Sequence, residues 1–118
     1  MTFTSETRNG VAIIKPSGDL VFHETLFTLR PKVRGLLDSG VRGFVFDLSE
    51  VKHCDSSGCG EIIGAYATIC KSEGSVAFAQ LAPRLRGLWD RIKVTSIFQI
   101  VDTVQAGVDS VSSGLGEH

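Results

Sequence analysis

The spacing of apolar residues changes repeatedly along the chain, and each change marks an element. Residues 2–8, TFTSETR, alternate weakly in twos and read as an edge strand. Residues 10–18, GVAIIKPSG, read as a second strand with Val11, Ile13 and Ile14 as its apolar body. Asn9-Gly10 between them is a favoured hairpin pair, and Pro16 closes the second strand or marks an edge. Over 23–40 the spacing becomes helical, with Leu26, Leu29, Val33, Leu36 and Leu37 recurring every three or four residues up to a stop at Gly40. Pro31 falls inside this stretch, where proline costs about 3 kcal/mol. The helix therefore either kinks there or divides into two short helices.

Residues 42–49, RGFVFDLS, form a continuous apolar run of the kind found in central parallel strands. Cys59, Ile62, Ile63, Tyr66, Ile69 and Cys70 then follow at offsets of 0, 3, 4, 7, 10 and 11, one face of a helix that ends at Gly74. Residues 75–81, SVAFAQL, predict another central strand. Pro83 suits the first turn of a helix with Leu85, Leu88, Trp89 and Ile92 inward. Residues 96–102 predict a short last strand or an extended link. Residues 103–111 predict a weak helix with Val104, Val108 and Val111 on one side. The end, 112–118, reads as a disordered tail.

Strands alternating with helices after a hairpin predict one α/β domain over residues 1–111, with a four- to five-stranded mixed sheet and helices mainly on one side. The expected core is Phe44, Phe46, Cys59, Ile62, Ile63, Tyr66, Ile69, Val76, Phe78, Leu88 and Ile92. With 12 Lys and Arg against 13 Asp and Glu, scattered along the chain, the net charge is −1. That argues against a nucleic-acid binder, which carries a basic patch. No apolar run approaches the ~20 residues that span a bilayer, and the polar N-terminus lacks the apolar core of a signal peptide. A cytoplasmic protein without membrane insertion is expected. Three cysteines without a CxxC pair indicate neither a disulfide frame nor a zinc knuckle. Cys59 and Cys70, about 16 Å apart on a helix, are too far apart to bridge and read as small core residues. Cys54 lies at the junction between strand and helix.

That junction, VKHCDSSGCGEII at 51–63, is where chemistry is expected, because sites collect at the C-terminal ends of parallel strands. Ser or Asp here makes a good helix N-cap, worth about 1 kcal/mol. Capping accounts for one polar side chain well and for three less well. Glu61 lies four residues after Ser57, out of register for a reciprocal capping box. Gly58 and Gly60 give up about 1 kcal/mol each as helix residues, a concession that suits close backbone approach. A phosphoryl group would also suit a helix N-terminus, and would add about −1.5 to −2 charge beside Asp55 and Asp19. Capping and modification both stand as readings. Ser56 and Ser57 are out of frame for a nucleophile elbow, and no glycine-rich loop ends in Lys-Ser or Lys-Thr. His23, His53 and His118 lack metal-ligand spacing. No catalytic residue, metal or cofactor is predicted.

The stretch FVFDLSEVKHCDSSGCGEIIGAY resembles the signature of STAS-domain proteins, the anti-anti-sigma factors of bacteria. SGDL at 17–20 is similar to the family's glycine-acid-leucine element, and LAPRLRGLWDRIKVTSIFQIVDT to its later segment. The resemblance implies an anti-sigma factor antagonist that binds an anti-sigma factor which is also a serine kinase. That kinase would phosphorylate Ser56 with ATP, and a PP2C-type phosphatase would restore it. Asp55 would help to position the loop and Ser57 would cap the helix. The implied partner-binding residues are Asp19, Phe22, His23, Asp55, Ser56, Ser57 and Gly58. The chain departs from the family pattern at Val21, where an acid is common, at Cys59, where leucine is usual, and at Pro31. The alternative within the same fold is a subunit that is never phosphorylated, serving a lipid transporter or a signalling scaffold.

Overall fold

Asn9 and Gly10 turn with left-handed φ of 53° and 78°, as a two-residue hairpin turn requires. They join β1 (Thr2–Arg8) to β2 (Val11–Ser17) in an antiparallel pair with Arg8 opposite Val11. The structure, a computed structural model, describes residues 2–116, without the side chains of residues 24, 25 and 113–116. β3 (Gly43–Asp47), β4 (Ser75–Ala79) and β5 (Gln99–Val101) follow in chain order, each parallel to the strand before it. The result is a five-stranded mixed sheet in the order β1-β2-β3-β4-β5.

Each parallel step moves one strand in the same direction, and such crossovers are right-handed. α1 (Leu29–Asp38), α2 (Ser56–Lys71) and α3 (Pro83–Arg91) therefore pack on one face, over Ala12, Ile14, Phe44, Phe46, Val76 and Phe78. Phe78 is central there: it stacks on Phe46 at 5.4 Å and meets Trp89 edge-on at 5.5 Å. α4 (Val104–Gly116) covers the opposite face, where Val108 and Val111 meet Val11, Ile13, Val45 and Ala77. It continues past the boundary expected at residue 111. Residues 117 and 118 of the expected tail, His118 among them, lie outside the described residues.

The stretch containing Pro31 divides. A 3-10 segment (Glu24–Thr28) runs into α1, and Pro31 is the third residue of that helix. An amide in the first turn has no intrahelical acceptor, so proline there loses no bond.

α2 turns a different face inward from the one its apolar spacing predicts. Gly58, Glu61, Ile62, Ala65 and Ile69 are buried, whereas Ile63 is 39% exposed, Cys59 and Tyr66 are half-buried and Cys70 is exposed. Glu61 is the reason. Its carboxylate is buried against α1, where it accepts from Arg30 Nη2 at 2.9 Å and Nε at 3.3 Å. A forked pair of this kind satisfies both carboxylate oxygens and turns Ile63 toward the rim. On α3, Leu85 and Trp89 are buried, Leu88 is half-buried and Ile92 is 45% exposed. Ile63, Ile92 and Cys70 thus leave the expected core.

Candidate functional site

Two loops leave the C-terminal ends of β2 and β3 side by side. The Leu20 amide donates to the His53 carbonyl at 2.9 Å, and the Asp55 amide donates to the Leu20 carbonyl at 3.0 Å. This single parallel rung, Leu20 against Cys54, carries the β2–β3 pairing past the strands. The acids then stitch each loop to the other. Asp19 Oδ1 accepts from the His53 amide at 3.1 Å and from the Lys52 amide at 3.4 Å. Asp55 Oδ2 accepts from the Phe22 amide at 2.8 Å, and its Oδ1 accepts from the Gly58 amide at 2.8 Å. These bonds, Phe22 first and Gly58 second, hold the Asp55 carboxyl below its ordinary 3.8.

Asp55 is the N-cap of α2, with extended backbone at φ −94° and ψ −176°. The expected cap, Ser57, is instead the second helical residue. A carboxylate one position before the helix reaches the amide of the third helical residue, which leaves the Ser56 and Ser57 hydroxyls out of the cap. Ser56 is exposed and Ser57 half-buried.

Gly58 explains one of the two glycines. A Cβ built there would lie 1.8 Å from the Leu20 carbonyl oxygen and 2.5 Å from its carbon. The head of α2 therefore rests directly on the backbone of the β2 loop. Gly60 has open space around it, so close approach does not account for it.

The structure brings Asp19, Phe22, Asp55, Ser56, Ser57 and Gly58 together on these two loops. Asp19, Asp55 and Gly58 are internal fasteners. Phe22, His23 and Ser56 face solvent, and the His23 carbonyl accepts the Leu26 amide that opens the 3-10 segment. The spacing missed the apolar surroundings of Ser56. Phe22 and Phe27 meet edge-to-face at 5.9 Å on one flank, both well exposed. On the other flank lies an apolar depression of about 360 Å³, lined by Cys54, Ser56, Cys59, Ile63, Leu88 and Ile92. A neighbouring cleft of about 250 Å³ carries Lys52, Arg84 and Arg91 on its walls, with Asp55 and His53 beside them. The signal that could have exposed the depression was Glu61, an acid inside an apolar stripe with Arg30 available on the preceding helix.

Among the described residues, no cluster of three or more His, Cys, Asp or Glu is placed to hold a metal. No helix among them is long and apolar enough to cross a membrane. What the arrangement offers is an exposed hydroxyl at the edge of an apolar hollow, with Asp55 on the walls of both that hollow and its neighbour.

Fold and site together define a small mixed-sheet α/β domain with an exposed serine at the head of α2. The chain belongs to the STAS domain family, whose pattern it matches over residues 2–107. An anti-sigma F factor antagonist of Paenibacillus polymyxa is 29% identical over 102 residues, covering 82% of this chain and 83% of that one. Among solved structures, an anti-sigma factor antagonist from Mycobacterium paratuberculosis superposes with a TM-score of 0.79 at 21% identity, covering 93% of this chain and 92% of that one. The unphosphorylated form of the anti-sigma factor antagonist SpoIIAA gives 0.72 at 18% identity over 92% of this chain and 96% of that one. SpoIIAA, a Bacillus cell fate determinant, has also been solved in a phosphorylated form.

Proposed function

We propose that this chain is an anti-sigma factor antagonist, a cytoplasmic regulator that acts by binding rather than by catalysis. The unmodified face around Ser56 binds an anti-sigma factor that is also a serine kinase, and a sigma factor is released. Phosphorylation of Ser56 ends that binding, and a PP2C-type phosphatase restores it. The observation that carries this reading is the exposed Ser56 at the head of α2. Its hydroxyl is left available because the Asp55 carboxylate does the capping. The apolar side chains of Phe22, Phe27, Ile63 and Ile92 that flank it provide contact area. A phosphoryl group adds about −1.5 to −2 charge and three acceptor oxygens. Placed among apolar contacts, it opposes docking by the cost of burying it.

Incubation with the cognate kinase and ATP tests this. Mass spectrometry should find one phosphate, on Ser56, and Ser56→Ala should abolish labelling while the circular dichroism spectrum stays unchanged. Labelling of Ser57 would overturn the assignment of the switch. Tight binding without any labelling would favour the permanent-subunit alternative.

A further inference from the structure

The sulfurs of Cys54 and Cys59 lie 2.9 Å apart. One ends the β3 loop and the other sits in the first turn of α2, so together they bracket Asp55, Ser56, Ser57 and Gly58. Both thiols line the apolar depression that opens beside Ser56, and each is half-buried. A small oxidant can therefore reach them from the same side as a protein partner. We propose that Cys54 and Cys59 form a redox-modification site, in which a hydroperoxide converts the thiol pair into an intramolecular disulfide that closes a ring around Ser56.

The reaction balances in two steps. The Cys59 sulfur, as thiolate, attacks the terminal oxygen of hydrogen peroxide. An S–O bond forms, the O–O bond breaks, and the departing hydroxide takes up the thiol proton as water. Cys54 then attacks the Cys59 sulfenic acid. The S–S bond forms, the S–O bond breaks, and the hydroxyl leaves as a second water with the Cys54 proton. Two thiols are oxidised and one peroxide is reduced to two waters. The order follows from the surroundings. The Cys54 thiol donates to the Asp55 carbonyl at 3.6 Å and its sulfur contacts that of Cys59, and burial with the Cys59 contact pushes its pKa well up. Cys54, the thiol whose charged form burial disfavours, is accordingly assigned as the second to react. A bond formed this way in a reducing compartment is transient, as regulatory disulfides there are.

The consequence for Ser56 rests on the phosphorylation reading above. To reach a disulfide length of about 2.05 Å the sulfurs must close by about 0.9 Å. Whatever part of that closure the two side chains do not supply by rotation falls on the four residues between them, Ser56 included. Misplacing a reacting group by about 1 Å can cost roughly 100-fold in rate, which sets the expected slowing of phosphoryl transfer to Ser56.

Because Lys52 and Lys71 bracket all three cysteines in one tryptic fragment, the test uses full-length Cys70→Ser, a change at an exposed position. After treatment with hydrogen peroxide, its 53–71 peptide should have lost two hydrogens. Dithiothreitol should restore them. The same peroxide applied to the chain that also carries Cys59→Ser should produce no such loss. Two thiols that stay free, or that each proceed separately to sulfinic acid, overturn the site. The wild-type chain gives an independent readout, its denatured thiol count falling from three to one. A fall only at Cys70 counts against the proposal. Kinase assays on the reduced and oxidised forms then separate the two readings. A disulfide that forms on a chain whose Ser56 is never labelled leaves the redox site standing and removes the phosphorylation reading. Equal labelling of both forms removes the coupling between them.

Discussion

Replacing Gly58 by alanine should destabilise the domain, although alanine is the better helix former by about 1 kcal/mol. The added Cβ would sit 1.8 Å from the Leu20 carbonyl oxygen, 2.5 Å from the carbonyl carbon and 2.9 Å from the Leu20 Cβ. The first two are backbone atoms, so no side-chain rotation relieves the overlap. Restoring an ordinary carbon–oxygen contact of about 3.4 Å requires the head of α2 and the β2 loop to separate by more than an ångström. Leu20 cannot retreat freely, because it is fully buried and donates to His53 at 2.9 Å while accepting from Asp55 at 3.0 Å. Each backbone bond of this kind contributes about 0.5–1.5 kcal/mol, and overpacking a tight site costs about 1–3 kcal/mol. With both Leu20 bonds at stake and the helix preference set against them, the net loss is about 1–5 kcal/mol.

Gly60 is the internal control. It lies two residues further along the same helix with open space where a Cβ would go. Gly60→Ala should therefore stabilise the protein by about 0.5–1 kcal/mol. Urea denaturation at equilibrium reads both variants on one scale, with the midpoint moving down for Gly58→Ala and up for Gly60→Ala at an unchanged slope. If Gly58→Ala matches the wild type within about half a kcal/mol, or if both glycines respond alike, the close-approach argument is wrong.

Two further outcomes follow from the charged groups. The folded form holds the Asp55 carboxyl below its ordinary 3.8, so the unfolded chain takes up that proton first on acidification. The resulting stabilisation is full above the ordinary carboxylate range and drains away as pH falls through the folded value. The gap in urea midpoint between wild type and Asp55→Ala should accordingly be constant from about pH 7 to 5 and shrink below about pH 4; a gap that persists unchanged into acid would remove Asp55 as the cause. Arg30→Ala should cost about 2–3 kcal/mol, less than a fully buried pair because Arg30 is part-exposed, since it leaves the Glu61 carboxylate, 5% exposed, without its partner. A double variant that also replaces Glu61 with leucine should recover most of the loss by the same denaturation assay, and no recovery would mean the pair is not what turns α2.

The opening hairpin and the order of strands and helices along the chain were legible because each rests on a local signal. Asn9-Gly10 dictates its turn and Pro83 opens its helix at the first position. Long-range polar bonds were not legible. The inward face of α2 depends on Arg30, which is 31 residues from Glu61, and no periodicity along one helix can register a partner on another. Apolar spacing alone therefore sent Ile63 inward. The fasteners of the site share this property: Asp19 reaches the His53 amide 34 residues away and Asp55 reaches Phe22 across 33. The sequence shows the acids but not what they hold. Cys54 and Cys59 escaped for a different reason. A five-residue separation places two side chains apart within a helix, but these two straddle the turn into it, where no fixed geometry applies.

The fastening of the loops bears on how any signal at Ser56 could act. On either side of it the backbone is fixed several times over. The Asp55 carboxylate holds two amides, the Asp55 amide is held by Leu20, and Gly58 rests on the Leu20 backbone. A phosphoryl group on an exposed serine adds charge without entering the core, and the helix N-terminus beneath it tolerates that charge. Relaying the modification by refolding would require breaking these contacts together, at about 0.5–1.5 kcal/mol for each hydrogen bond. A change confined to the surface requires none of that. The added charge would instead stand next to the Asp55 carboxylate, whose negative charge two amides stabilise, and Asp55 shares the walls of the adjoining cleft with Lys52, Arg84 and Arg91. The apolar flanks at Phe22 and Ile63 would keep their places, and what would change is whether a partner can cover them without burying a charge.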